Sequence, residues 1–295
     1  MKKTLIAATA VAFAFTAPAS AADLDNDIGL IVSGVVDQWA GVQFLDTSGF
    51  FGGDDTLFAN GGEGRLSLPL GNNWSVQSDV KYEYNSYALE NPFLNDVFGP
   101  RFSYQGAAHF SHRDPGSYLL GVFGGAGSAD AGGLRTDTRF VGGEAQFYFD
   151  NITLYGQGGY VDFNSTNAIA TFTLDDGFFA RGVLRWFLAD DSRIQLQGTY
   201  LKADYNIIGG DMEAFSVGAR YDFNIGLPIV GDTPLYVGYR GTFRDNCTFF
   251  GDVDDHLIMI GTSYSFSGDR LTVDRRGATL DTPDFNYSCS QGTFF

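Results

Sequence analysis

The sequence predicts an all-β fold: a single antiparallel transmembrane β-barrel of about twelve strands, followed by a C-terminal tail. Three observations carry this prediction. Long segments alternate between apolar and polar residues, the connections between them alternate between short and long, and the chain combines 46 aromatic residues with 39 glycines. Alternation with period two is typical of strands with one apolar and one polar face. Connections of alternating length are typical of barrels that cross a membrane.

The composition argues against several other classes of protein. The mean hydropathy of −0.06 is too low for a helical membrane protein, which needs apolar runs of about 18 or more residues. The net charge of −17 argues against a nucleic-acid partner, because such a partner requires a basic surface. The two cysteines are too few for a disulfide scaffold.

The first 21 residues have the features of a secretory signal peptide. Lys2 and Lys3 form a basic start, an apolar run covers residues 5–15, and Ala19-Ser20-Ala21 is a small-residue cleavage site. We expect cleavage after Ala21. This divides the chain into a signal peptide at 1–21, a barrel at 22–266 and a tail at 267–295.

Residues 65–84 show the alternating pattern most clearly. Leu66, Leu68 and Leu70 alternate with polar or small residues, Gly71-Asn72-Asn73 is a turn signal, and residues 74–84 resume the alternation. This pattern predicts a β-hairpin. The same rhythm recurs as far as residue 266 and, with an early strand near 31–44, indicates about twelve strands. Short turns are expected near 71–73, 113–117, 150–151 and 189–192, a middling link near 225–234, and longer links near 45–61, 85–100, 127–137, 164–176, 205–212 and 245–254.

Two architectures are compatible with this rhythm. In a soluble β-sandwich the apolar faces meet in a dry core, whereas in a membrane barrel they face lipid and the polar faces line the lumen. The barrel is favoured by strand runs of about 10 or more residues, by the even strand number and by the alternating connections. It is also favoured by aromatic residues near strand ends, which suit interfacial girdles: Trp74, Phe102, Phe149, Trp186, Tyr200 and Phe223.

The polar positions of the predicted strands form a candidate pore lining that is net positive. A basic wall favours anions by raising their local concentration; alternatively, these charges pair across strands and keep the lumen wet. Arg220 and Arg240 are expected side by side with Asp222 as the bridge between them. The basic members are Arg65, Lys81, Arg101, Arg139, Arg181, Arg185, Arg220, Arg240 and Arg244, and the acidic members are Glu63, Asp79, Glu83, Glu144 and Asp222.

One segment combines nucleophile and base types of residue. In 109–114, His109 and Ser111 share a strand face, while His112 points to the other face. We interpret this segment as a polar strand end, and we therefore expect no catalytic residues and no enzymatic activity. Three scattered histidines without a paired cysteine motif give no metal-ligand spacing. The sequence predicts neither a metal nor a cofactor.

Several stretches resemble the porin-like outer-membrane barrels of alphaproteobacteria. They are 68–77, 117–125, 140–146 and 274–281. The run 255–266 resembles the closing strand of Gram-negative outer-membrane proteins, whose final aromatic residue is read by the assembly machinery. The resemblance implies an outer-membrane location, contact with lipid, and the barrel-assembly machinery as a partner during biogenesis. Because a tail follows Phe266 and ends at Phe295, both residues are candidate assembly signals.

The position of the tail is open at this point. It forms either a loose periplasmic extension or a plug that runs back through the lumen, and an extended chain of about 3.3 Å per residue is long enough for the second path. In a plug, Asp274, Asp281 and Asp284 meet the wall arginines, and Arg270, Arg275 and Arg276 meet lumen acids. Cys289 then lies within reach of a disulfide with Cys247.

Three functions fit the predicted barrel. The first is a porin-like channel for passive diffusion of small polar or anionic solutes. The second is a structural or surface-interaction barrel without conductance. The third, which the residues favour least, is an outer-membrane barrel enzyme.

Overall fold

The computed structural model describes residues 32–48, 53–86, 101–131, 134–165, 174–205, 210–227, 231–245 and 252–285. Its strands are β1 (Ser33–Thr47), β2 (Gly53–Gly71), β3 (Trp74–Asn85), β4 (Arg101–Asp114), β5 (Tyr118–Ala131), β6 (Leu134–Phe149), β7 (Ile152–Ser165), β8 (Leu174–Ala189), β9 (Ser192–Tyr205), β10 (Asp211–Leu227), β11 (Gly231–Asp245) and β12 (Val253–Ser265). Each strand pairs antiparallel with its neighbours in the chain, and β1 also pairs with β12. The predicted closed antiparallel barrel is confirmed.

The strands are longer than a membrane crossing requires. They contain from 12 residues in β3 to 19 in β2, whereas a tilted crossing takes about 9–11 residues. The long link expected near 127–137 is therefore wrong, because β5 continues to Ala131 and pairs there with Leu134 of β6. Glycine, alanine and serine dominate residues 124–131. Their backbones pair although they show no apolar alternation.

The turn between β2 and β3 identifies the short-turn end of the barrel. Gly71 pairs with Trp74, and both intervening asparagines have positive φ angles, 50° at Asn72 and 67° at Asn73. Two left-handed residues form the type I′ turn that matches the twist of a hairpin. β1 begins and β12 ends at this same end, since Val35 pairs with Ser265. The chain therefore leaves the barrel at the short-turn end.

The outer face of the barrel is apolar. Val80 is 65% exposed, and Val122 and Val141 are each 59% exposed, which suits contact with lipid rather than water. Trp74, the first residue of β3, stacks on Phe110 with ring centroids 4.8 Å apart. Of the aromatic residues expected in girdles, Trp74, Phe102, Phe149 and Trp186 are exposed on this face, and Tyr200 and Phe223 are half-buried.

After β12 the chain turns back into the barrel. A seven-residue helix, α1 (Arg270–Arg276), lies at the short-turn end, where the backbone N–H of Leu271 donates to the carbonyl of Asp190. Residues 277–285, here called the internal segment, then run through the lumen to Phe285, which is buried. Within the described part of the chain, no helix has the length and apolarity needed to cross a membrane.

Candidate functional site: the lumen and its internal segment

Helix α1 anchors the internal segment at the short-turn end. Asp269 caps the helix by accepting a hydrogen bond from the Thr272 N–H at 2.7 Å. The guanidinium of Arg275 lies 4.4 Å from the centroid of the Tyr148 ring and donates to the carbonyl of Asp150 at 2.8 Å. These contacts hold the base of the segment against the turns of β6 and β8.

The segment enters the lumen by a close approach to β1. A Cβ atom on Gly277 would lie only 2.2 Å from Oγ of Ser33, so glycine is required there. The Ala278 N–H donates to the same hydroxyl at 3.0 Å.

Lumen side chains satisfy the backbone of the internal segment. Gln77 binds both backbone groups of Leu280: its Nε2 donates to the carbonyl at 2.7 Å, and its Oε1 accepts from the N–H at 3.2 Å. Gln157 donates to the Asp281 carbonyl at 2.8 Å, and Lys81 donates to the Pro283 carbonyl at 2.9 Å. Because buried backbone groups need hydrogen-bond partners, these side chains allow an extended peptide to lie inside the barrel.

Three arginines, here called the arginine cluster, converge on one carboxylate of the internal segment. Arg65 donates to Oδ1 of Asp281 at 2.8 Å, while Arg181 and Arg185 donate to Oδ2 at 3.1 Å and 2.8 Å. Arg65 lies on β2, and Arg181 and Arg185 lie on β8, six strands away in a ring of twelve. Asp281 therefore joins opposite walls of the lumen through charge-assisted hydrogen bonds.

Two further tail carboxylates pair with wall cations. Asp274 accepts from Arg185 at 2.8 Å and from Thr153 at 2.5 Å. Asp284 accepts from Arg240 at 3.0 Å. The tail thus supplies part of the negative charge that balances the basic wall.

The tail carboxylates have lowered pKa values. Burial alone raises the pKa of Asp281, but Arg185, Arg181 and Arg65 outweigh this effect and hold its pKa below the ordinary value. For Asp274, burial is likewise outweighed by Arg185 and by the hydrogen bond from Thr153, which lower the pKa. Both side chains are therefore ionised at neutral pH.

The lumen also contains an apolar region, which the sequence pattern did not predict. Phe285 lies 5.2 Å from Phe140 and 5.1 Å from Phe179 between ring centroids. Phe123 and Phe163 belong to the same buried cluster. The expectation of a uniformly polar lumen is wrong. Alternation shows which residues of a strand share a face. Where apolar residues occur on both faces, it does not show whether the face that turns inward is polar.

His109 lies in the lumen rather than at a polar strand end. Its Nδ1 lies 2.8 Å from Glu144 and its Nε2 lies 3.1 Å from Asp79, and the histidine side chain is fully buried. Both ring nitrogens thus face carboxylates, the arrangement of an imidazolium that donates twice. Asp79 also accepts from Thr282 of the internal segment at 3.1 Å, which joins this cluster to the tail.

Most of the predicted pore-lining residues point inward, but Arg139 does not. Its side chain is exposed on the outer face, and that prediction is wrong. Arg139 has the same parity as the exposed Val141, so the regular alternation of β6 directs both outward. The inward set comprises Glu63, Arg65, Asp79, Lys81, Glu83, Glu144, Arg181, Arg185, Arg220, Asp222, Arg240 and Arg244.

Phe266, a candidate assembly signal, is 58% exposed just after β12. The side chain of Arg101, which begins β4, lies outside the described residues, as do Cys247, Cys289 and Phe295 and the signal-peptide segment 1–21.

The expected bridge between Arg220 and Arg240 is absent. Arg220 bonds to Asp222 at 2.7 Å and to Asp37 at 3.2 Å, whereas Arg240 bonds to Glu83 at 2.8 Å. In the register of β10 and β11, Arg240 lies opposite Gly218 rather than Arg220. The two guanidinium groups therefore use different carboxylates.

Among the described residues, the sequence analysis missed four charged side chains of the lumen wall: Asp37, Arg113, Arg193 and Asp255. Arg193 pairs with Asp222 at 2.9 Å, and Arg244 pairs with Asp255. Each lies on the inward parity of its strand, so a full parity count would have identified it.

A cavity of about 190 Å³ remains beside the internal segment. Its lining includes Arg65, Arg181, Arg193, Arg220 and Arg240 together with Asp281 of the tail. This cavity is therefore small, polar and rich in arginine.

Comparisons with known proteins establish the fold. No family model and no curated protein matches the chain. An outer membrane channel from Pseudomonas putida F1 is similar at a TM-score of 0.53 and 9% identity, over 80% of this chain and 96% of that chain. The KdgM porin in complex with disordered oligogalacturonate matches at 0.40 and 10%, over 78% and 99%. A loop-deletion mutant of OmpT, an outer membrane protein of Vibrio cholerae, matches at 0.41 and 7%, over 80% and 100%.

These comparisons also correct the expectation that the protein is not an enzyme. At 9% identity, the similar outer membrane channel from Pseudomonas putida F1 shares the fold alone with this chain. Because function resides in sites rather than in folds, a shared barrel gives no ground for excluding catalysis. The expectation that the protein has no enzymatic activity is therefore dropped.

The closed twelve-stranded sheet, its apolar outer face and its similarity to solved outer-membrane barrels lead to one conclusion. The protein is a β-barrel of the Gram-negative outer membrane, with its outer face in lipid.

Proposed function

We propose that the protein is a porin-like channel for passive diffusion of small polar or anionic solutes, and that its own C-terminal tail restricts the pore. The observation that carries this proposal is the width of the lumen. It holds an extended peptide from Gly277 to Phe285 in addition to the wall side chains. Displacement of this peptide would vacate the space that it occupies beside the charged wall and the aromatic cluster.

The charge of the wall supports a preference for anions. Arg65, Arg181, Arg185 and Arg240 bond to tail carboxylates. When these carboxylates move away, positive charge remains in a narrow space, which concentrates anions there. The similar barrel from Pseudomonas putida F1 is an outer membrane channel, and this agrees with the proposal.

A non-conducting structural barrel is the second candidate, because the internal segment occupies part of the lumen and the cavity beside it measures about 190 Å³. Planar-bilayer recording separates the two functions. A channel gives discrete current steps, with a reversal potential in a salt gradient that indicates anion preference. An absence of steps in folded, inserted protein contradicts the channel and favours the structural barrel.

We further propose a relationship with the porin-like barrels of alphaproteobacteria, secretion with cleavage after Ala21, and recognition by the barrel-assembly machinery. Phe266 follows β12 on the exposed face, which suits an assembly signal better than a residue beyond an internal tail. Replacement of Phe266 by alanine is expected to lower the amount of assembled barrel more than replacement of Phe295.

A further inference from the structure

We propose that the arginine cluster of Arg65, Arg181 and Arg185 is a binding site for the carboxylate group of diffusing solutes, and that Asp281 occupies this site as a competitor tethered to the same chain. The inference rests on the proposed channel function and names its solute class: small molecules with at least one carboxylate.

The geometry around Asp281 suits a carboxylate. Its two oxygens are used separately, one by Arg65 from β2 and the other by Arg181 and Arg185 from β8. The donors approach from opposite walls, so a flat group with two acceptor oxygens satisfies both sides at once. Without Asp281, three guanidinium groups face a single point in the lumen.

Other wall groups hold these arginines in place. Arg65 also bonds to Asp37 at 2.7 Å. Arg181 donates to the amide oxygens of Gln157 and Gln197 at 3.0 Å and 2.9 Å. These second contacts keep the side chains oriented when the tail carboxylate leaves, so the site is preorganised.

The charge balance at the site favours an anion. Asp37 is shared between Arg65 and Arg220, and Glu63 lies 3.7 Å from Nε of Arg65. Gln157 and Gln197 are neutral, so the three arginines of the cluster face Glu63 and a shared Asp37 on the wall. Arg185 bonds to Asp274, which is itself part of the tail. Movement of the tail therefore leaves excess positive charge at a partly desolvated position.

The site borders an accessible polar space. Arg65, Arg181 and Asp281 are all lining residues of the cavity of about 190 Å³. A solute that enters the cavity therefore meets the same guanidinium groups that bind Asp281. Since a tethered group acts at an effective concentration in the millimolar range, solutes compete with Asp281 only at comparable concentrations.

Chemical rescue tests the site in the full-length protein. Asp281→Ala removes the internal carboxylate and leaves room for acetate. The folded variant in detergent is heated with acetate or with chloride at equal ionic strength, and unfolding is followed by gel mobility. Acetate is expected to raise the Tm of Asp281→Ala by about 2–4 °C, with a several-fold smaller effect on the wild-type protein.

Two variants serve as controls. Asp269→Ala removes a tail carboxylate that caps α1 without contacting the arginine cluster, and acetate should not raise its Tm. The double variant Asp281→Ala/Arg181→Gln should lose most of the response. If Asp281→Ala does not fold, it is refolded in acetate and in chloride at equal ionic strength, and the yield of folded protein replaces the Tm; a higher yield in acetate supports the site, and equal yields overturn it.

Three results overturn the inference. The first is no acetate response of Asp281→Ala, and the second is an equal acetate response in the Asp281 and Asp269 variants. The third is an equal response of Asp281→Ala to sulfate, phosphate and acetate, which indicates a general anion effect. The channel proposal fails separately. Rescue without conductance in any variant contradicts the channel, whereas conductance without rescue contradicts only the carboxylate site.

Discussion

Arg65 and Arg185 stand on opposite walls of the barrel and bond to the two oxygens of the same carboxylate, that of Asp281, each at 2.8 Å. This relationship makes the tail a bridge across the lumen. A loose extension would leave these arginines facing water, whereas here their partner comes from a segment far along the chain. The position of the tail therefore determines the net charge that the pore wall presents.

Asp281→Asn is expected to destabilise the folded protein by about 3 kcal/mol or more, because it removes one partner of a buried ionic network and leaves guanidinium groups uncompensated. Unfolding in detergent measures the change. Asp137→Asn breaks an exposed ion pair with Arg135 and should change stability very little. Equal losses in the two variants would contradict the bridge.

Phe285→Ala is expected to loosen the internal segment, since Phe285 is buried among Phe140, Phe163 and Phe179. Truncation of a buried phenylalanine typically costs about 3–5 kcal/mol. Limited proteolysis of the folded protein should then cut the tail faster than in the wild type. Phe147→Ala, which alters an exposed residue on the outer face, is the control, and equal cleavage rates would refute the prediction.

The arginines should determine ion selectivity. Neutralising Arg181, Arg220 and Arg240 together is expected to shift the reversal potential toward cations, because these side chains face the lumen. Asp284→Asn should shift the reversal potential toward anions, since the substitution removes a carboxylate partner of Arg240. Arg139→Gln should leave it unchanged, because Arg139 lies on the outer face. A shift in the Arg139 variant as large as in the lumen variant would disprove the assignment of faces.

The tail should remain docked in mildly acidic solution. The pKa values of Asp274 and Asp281 lie below the ordinary value of 3.8 in the folded protein. Their stabilisation is therefore fully present above that value and is lost as the pH falls below it. Conductance should stay constant from pH 8 to about 5 and rise only below about 4. A rise centred near pH 6 would point to a different group.

His109→Leu is expected to destabilise the barrel strongly, because Asp79 and Glu144 would lose a shared partner inside the lumen. His112→Leu is the matched control, since His112 is half-buried beside Trp74 on the outer side. Unfolding of both variants in detergent provides the comparison, and similar losses would argue against a special role for the buried histidine.

The strands and their faces were predictable because period two is a local property of the chain. Asp79, Lys81 and Glu83 alternate with Val80 and Tyr82, and the structure turns the charged set inward. Arg139 was misassigned because its charge was taken as a sign that it faces the lumen. Its parity is that of the exposed Val141, and the pairing of β6 is continuous there, so the strand turns it outward.

The contacts of the tail could not be predicted in the same way. Gln77 binds Leu280 across 203 positions of sequence, and no local pattern specifies such a pairing. Sequence and chain length permitted both a lumen path and an external one. The aromatic pocket around Phe285 was equally hidden, because Phe123 and Phe179 lie next to outward-facing apolar residues, Val122 and Phe178, on the same strands.

Single-channel conductance before and after cutting the tail tests the central claim most directly. A protease site is inserted between Ser267 and Gly268, the protein is folded and inserted, and the tail is then cut and removed with urea, so that folding is not affected. We predict a several-fold rise in conductance together with stronger anion preference. Unchanged conductance, with loss of the tail verified by mass spectrometry, would contradict a pore restricted by its own C-terminal segment.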